Sequence, residues 1–106
     1  MKLDKKQYLG ADVAGNSYIK LVVLYRPHSE HARSVEEFVE NYEHNFQESY
    51  VNLMDVDSVE GIQLSELYDI LRQPAVLVLA GDGSVLKSWV GDTLPLIDDV
   101  VGFMRS

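Results

Sequence analysis

The residues best suited to chemistry lie in one short stretch, Arg26-Pro27-His28-Ser29-Glu30-His31-Ala32-Arg33. Ser29 offers a hydroxyl, which attacks an electrophile only when a positioned base takes its proton. His28 and His31 are the nearby bases, but no acid is clearly placed to orient either imidazole. A serine just ahead of a helical pattern more simply caps that helix. His28, Glu30 and His31 are also metal-ligand types. Two histidines three apart in a loop are weak evidence for a metal, and His44 falls too far along the helix to join them. Exposed loop residues are the simpler reading, and no metal or cofactor is expected. The chain contains no cysteine, so disulfides, thiolate metal sites and every thiol mechanism are absent.

The composition narrows the partners. The 106 residues suit one domain, and the 46% apolar content is enough for a core. The net charge of -8 argues against nucleic acid, whose phosphates require a basic surface, and against an anionic membrane. No apolar run approaches membrane-spanning length. The stretch Met1 to Gln7 has positive charge but no apolar core after it, so a secretory signal is not expected and a cytoplasmic setting is.

The elements that must position these residues follow from apolar spacing. Residues 1–17 are weakly patterned and read as a partly ordered segment or a short helix over Asp4 to Leu9; residues 18–106 read as the domain. Residues 18–26 hold the unbroken apolar run Leu21 to Tyr25, as in a central parallel strand covered on both faces. A helix follows, with Val35, Phe38, Val39, Tyr42 and Phe46 on one side and Glu36, Glu37, Glu40 and Glu43 on the other. Ser29 or the Ser34-Val35-Glu36-Glu37 capping box begins it. Glu48 to Asp55 is a second strand. Asp55 or Asp57 caps a second helix, whose buried side is Leu64, Leu67, Tyr68 and Leu71, and Gly61 weakens its first turn.

Pro74 cannot donate to a ladder and starts the third strand, Ala75 to Leu79. Asp82-Gly83 is a hairpin signal leading to a fourth strand. Asp92-Thr93-Leu94-Pro95 starts the last helix, with Leu94, Ile97, Val100, Val101 and Met104 facing inward. The order is β-α-β-α-β-β-α. Helical crossovers are expected to join parallel strands, giving an α/β fold with one mixed four-stranded sheet and helices on both faces.

That order, with proline just before the third strand, resembles the thioredoxin-like superfamily over residues 18 to 105. Its third-strand pattern runs Tyr-Gly-Ile-Arg-x-x-Pro-Thr, then a glycine turn, a strand and Val-Gly. Tyr68, Ile70, Pro74, Gly83, Val90 and Gly91 match it; Asp69 stands for the glycine and Ala75 for the threonine. The first-strand end departs from the family. Tyr25-Arg26-Pro27-His28-Ser29-Glu30-His31-Ala32 lies over a glutaredoxin-like Tyr-x-Pro-x-Cys-x-x-Cys pattern, with Ser29 and Ala32 at the thiol positions. The buried acid of thioredoxins is missing from Leu21 to Tyr25. The resemblance is to cysteine-less, redox-inactive members, of the kind seen among small bacterial proteins. It implies a cis Gln73–Pro74 bond and a Gln73 backbone available to an extended peptide.

Three functions remain open. A non-catalytic module capturing a peptide or protein near Pro74 is the leading reading, with Arg26, His28, Ser29, His31, Arg33, Arg72, Gln73 and Pro74 as its site. On an acidic chain the arginines and histidines there form a local cationic cluster beside a helix N-terminus, suited to a carboxylate or a glutathione-like anion. The competing reading pairs them with nearby acids, as Arg33 with Glu37 at i,i+4. The other two functions are an assembly role, such as a homodimer through a helix face or sheet edge, and an enzyme of non-thiol chemistry.

Overall fold

Strand β1, Lys20–Tyr25, carries four residues, Leu21 to Leu24, whose exposure is 0%. Successive side chains of a strand point to opposite faces, so this burial requires cover on both sides of the sheet. The computed structural model, which describes residues 19–46, 51–91 and 93–104, supplies it. After β1 come α1 (Ala32–Asn45), β2 (Val51–Asp55), α2 (Val59–Leu67), β3 (Ala75–Leu79), β4 (Val85–Val90) and α3 (Ile97–Met104). The strands lie in the order β2-β1-β3-β4. Leu21, Val23 and Tyr25 pack with Val35, Phe38, Val39 and Tyr42 of α1 and Val100 of α3. Val22 and Leu24 pack on the other side with Leu77 and Leu79 of β3 and Leu64 of α2. Each such Val or Leu contributes about 1.5–3 kcal/mol of transfer free energy. Leu94, Ile97, Val101 and Met104 join the first core as expected; Phe103, unremarked in the sequence, also joins it and meets Trp89 edge-on at 5.9 Å.

The expectation that both helical crossovers join parallel strands holds for only one of them. β1 and β2 are parallel, with Tyr25 opposite Asp55, but β3 runs antiparallel to β1, with Leu24 opposite Ala75. β2 therefore ends, and β3 begins, at the same end of the sheet. The intervening α2 must leave and the chain must come back. Asp69 makes the reversal. It takes a left-handed conformation (φ 57°), while Ile70 N–H donates to Ser65 O at 2.8 Å and Asp69 N–H to Glu66 O at 3.4 Å. This is a Schellman ending, a place that glycine usually fills. The reversal removes Leu71 from the expected apolar stripe and leaves it 81% exposed, while Ile70 is buried instead.

Several helix starts also differ from expectation. Ser58, rather than Asp55 or Asp57, caps α2: its Oγ accepts from Gly61 N–H at 3.0 Å and donates to Asp55 O at 2.6 Å. Asp55 instead accepts from Asp57 N–H within its own turn, at 2.8 Å. α1 starts after His31 without a side-chain cap; Ser34 lies inside it, and Ser29 bonds backward to Arg26 O. α3 starts only at Ile97, beyond the expected Asp92–Pro95 start, and Leu96 O accepts its first helical bond, from Val100 N–H at 3.2 Å. The first strand spans less than residues 18–26, and the expected beginning of β2 and the segment 1–17 fall outside the described residues. The hairpin turn runs from Ala80 to Ser84: Gly83 (φ 90°) donates to Ala80 O, and Ala80 N–H to Ser84 O, both at 2.9 Å. Tyr68 Oη donates to Gly83 O at 2.8 Å and ties the end of α2 to this turn.

Gly61 does more than weaken the first turn of α2; it permits the helix to sit where it does. A Cβ there would lie 2.0 Å from Asp55 O and 2.9 Å from Val56 Cα. Both neighbours are backbone, so relief requires moving β2 or α2. Gly61→Ala is expected to lower stability by about 1–3 kcal/mol, read as a lower urea midpoint. Asp69→Gly is expected to do the opposite. Relief of the left-handed residue should add roughly 0.5–1 kcal/mol and raise the midpoint with no change in the slope of the transition.

Candidate functional site

The stretch singled out for chemistry closes on itself around Arg26, the first residue beyond β1. Arg26 N–H donates to His31 Nε2 at 3.2 Å. Arg26 O accepts from Ser29 N–H at 3.3 Å and from Ser29 Oγ at 2.5 Å. The guanidinium reaches the β2–α2 corner, where Nε meets Asp57 Oδ2 at 3.1 Å and Nη2 meets Asp57 Oδ1 at 3.3 Å. His28 is exposed, with φ 66°. The Ser29 proton is thus directed to a carbonyl, and the His31 lone pair to a backbone amide. Neither group is aimed at the other, so a serine nucleophile with a histidine base lacks its first geometric requirement. Ser29 does not cap α1 either. Among the described residues no group of three or more His, Asp or Glu is placed to hold a metal ion.

The structure sorts the expected cationic cluster. Arg26 is held bidentately by Asp57. Arg33 pairs with Glu37 at 3.5 Å on the outer face of α1, the i,i+4 pairing weighed in the sequence. Arg72 alone of the three described arginines has no carboxylate partner among the described residues. Its Nη2 donates to Val90 O at 3.4 Å, and its guanidinium lies over Gly91, where a Cβ would come within 2.9 Å of Nη2. Gly91 has φ 120°, so both its backbone and the arginine above it require the missing side chain. Sequence reasoning placed Asp57 as a helix cap and missed its pairing. The usable signal was position: Arg26 and Asp57 each follow strands that run parallel and end together.

The segment Arg72-Gln73-Pro74 enters the same end of the sheet. The Gln73–Pro74 bond is cis. Pro74 is buried, and its carbonyl accepts from Gly91 N–H at 3.0 Å, one step beyond the Ala75–Val90 pair of the ladder. β1 and β3 are hydrogen-bonded neighbours with Leu24 opposite Ala75, so Arg26 and Gln73 each lie two residues past the same pair. Gln73 itself is half-buried, and among the described residues neither its backbone N–H nor its C=O has a hydrogen-bond partner. Leu71, two residues earlier, is exposed. Of the eight expected site residues, Arg26, His28, Ser29 and His31 form one loop, and Arg72, Gln73 and Pro74 form the adjacent one. Arg33 points away to Glu37.

The Arg26 hydrogen bonds, reinforced by its charge, hold the Asp57 carboxyl below the ordinary carboxylate range; partial desolvation opposes the shift. A lowered folded-state value means that this link is fully present above the unfolded carboxylate pKa and is lost as pH falls through the folded one. The expected outcome is that Arg26 and His31 amide resonances shift together with the Asp57 titration in acid. In Asp57→Asn that acid-dependent step should disappear, because the amide does not titrate in that range.

No protein-family model matches the sequence, and no curated protein matches it. Solved structures do. Reduced thioredoxin from Schistosoma mansoni aligns at TM-score 0.68 and 15% identity, over 99% of this chain and 92% of that one. Thioredoxin from Trichomonas vaginalis aligns at TM-score 0.67 and 12% identity, over 99% and 92%. A thioredoxin f2 in complex with ferredoxin:thioredoxin reductase aligns at TM-score 0.67 and 15% identity, over 99% and 91%. Identities this low speak for the fold alone. The sheet order and the helices on its two faces match that fold, while the sequence supplies it with no thiol: the chain is a cysteine-less protein of the thioredoxin-like fold.

Proposed function

We propose that the protein is a non-catalytic binding module that captures an extended segment of a partner peptide or protein by strand addition at Gln73. The observation that carries this reading is the pair of Gln73 backbone groups with no partner among the described residues, beside a Pro74 carbonyl that is already bonded. An extended chain satisfies such a pair with its own N–H and C=O, and main-chain bonds of this kind give affinity with little demand on sequence. The half-buried setting adds to the gain, because an amide left without a protein partner must otherwise keep its water. Leu71 offers an apolar contact next to these groups. The thioredoxin f2 neighbour, held in a complex with its reductase, lends fold-level support to a protein partner.

Two other readings are weaker. A small anion at the start of α1 would have to draw Arg26 from Asp57, and the loop ahead of α1 is occupied with its own hydrogen bonds. Assembly through the edge of β4 would bring Lys87, in the middle of that strand, against its copy in a symmetric pairing.

The test is an amide-shift titration with three probes: a blocked, uncharged extended peptide, glutathione, and phosphate. The peptide is expected to give saturable shifts at Gln73, Ala75 and Gly91. No shift at Gln73, or shifts confined to Ser29 through Ala32 with the anions, would overturn strand addition.

A further inference from the structure

We infer that this site selects acidic segments and that Arg72 is its specificity-determining residue. The inference rests on strand addition at Gln73 and names the class of peptide that the site prefers. It starts from the sorting of the arginines. Arg26 and Arg33 have their charges met by Asp57 and Glu37. The Arg72 guanidinium is held by backbone instead: one long hydrogen bond to Val90 O and close contact over Gly91. A guanidinium has five N–H donors in a planar fork that matches a carboxylate. Only one of these has an acceptor among the described residues.

Position turns this guanidinium, which has no carboxylate partner among the described residues, into a selector. Gly91 donates to Pro74 O, so a side chain lying over Gly91 lies next to the backbone pair that borders Gln73. A peptide strand paired with Gln73 would pass within a residue or so of the guanidinium. An acidic side chain at that point makes a charge-assisted bond that a neutral one cannot. The chain carries a net charge of -8, which would repel acidic ligands at long range. Salt screens such repulsion beyond about 8–10 Å, whereas a contact pair with Arg72 survives. The missing Cβ at Gly91 is part of the device: any side chain there would displace the guanidinium from this place.

The experiment compares two blocked extended peptides that differ only in Glu or Gln at one central position, titrated against the protein and against Arg72→Gln, with Gln73 and Ala75 amide shifts as readout. In the unaltered protein the Glu peptide is expected to bind roughly three- to tenfold more tightly at low salt. The preference should shrink at high salt and vanish in Arg72→Gln; Arg72→Lys, a point charge without the fork, should keep only part of it. Equal affinities, with Gln73 still shifting for both peptides, would overturn the role of Arg72 and leave strand addition standing. A preference that persists in Arg72→Gln would also overturn it. No Gln73 shift with either peptide would overturn both readings together.

Discussion

Four consecutive residues of β1 have no contact with water, and the rest of the molecule is arranged to keep them so. A strand buried on both faces needs one layer above the sheet and one below, and α1 with α3 provide one while α2 provides the other. It also needs hydrogen-bonded neighbours along both edges, which β2 and β3 supply. Because β1 lies in the middle, the loop that leaves it, Arg26 to His31, emerges between the two strands that flank it. Any group placed there meets the corner after β2 on one side and the entry to β3 on the other. The fold brings these three segments together at one end of the sheet before any side chain is chosen.

The choice of side chains sets what the site can do. The loop that leaves β1 holds Ser29, whose proton is directed to Arg26 O, and His31, whose lone pair is used by Arg26 N–H. Arg26 then fastens the loop to Asp57. These bonds are local and complete among themselves, which favours a fixed surface over a reacting group. The neighbouring strand entry is the opposite case. Pro74 is tied to Gly91, while the two polar groups of the Gln73 backbone have no partner among the described residues. One loop is closed by its own hydrogen bonds, and the other leaves backbone groups open among the described residues.

Much of this was legible in the sequence. The run Leu21 to Tyr25 announces burial on both faces, and the spacing Val35, Phe38, Val39 and Tyr42 announces a helix that provides half of it. The pairing of Arg33 with Glu37 follows from helical geometry alone. The direction of β3 was not legible, because Ala75 to Leu79 is apolar at every position and reads the same in either sense. The turn that decides the direction is Asp69 in a left-handed conformation, and aspartate is a weaker signal for that than glycine. Missing it also assigned Leu71 to the core. The cap of α2 was ambiguous because Asp55, Asp57 and Ser58 all have suitable side chains; the geometry gives the task to Ser58 and leaves Asp57 for Arg26. That last contact joins residues 31 apart and depends on strand register, which no local pattern contains.

The close approach at Gly61 restricts that position more tightly than the core. Core positions such as Leu64 tolerate exchange among aliphatic residues at modest cost, provided volume is kept. The α2–β2 corner admits nothing larger than hydrogen at position 61, since the nearest obstacles are backbone atoms that no rotamer change can move. The glycine at the third position of α2 therefore fixes how closely that helix can approach the end of β2.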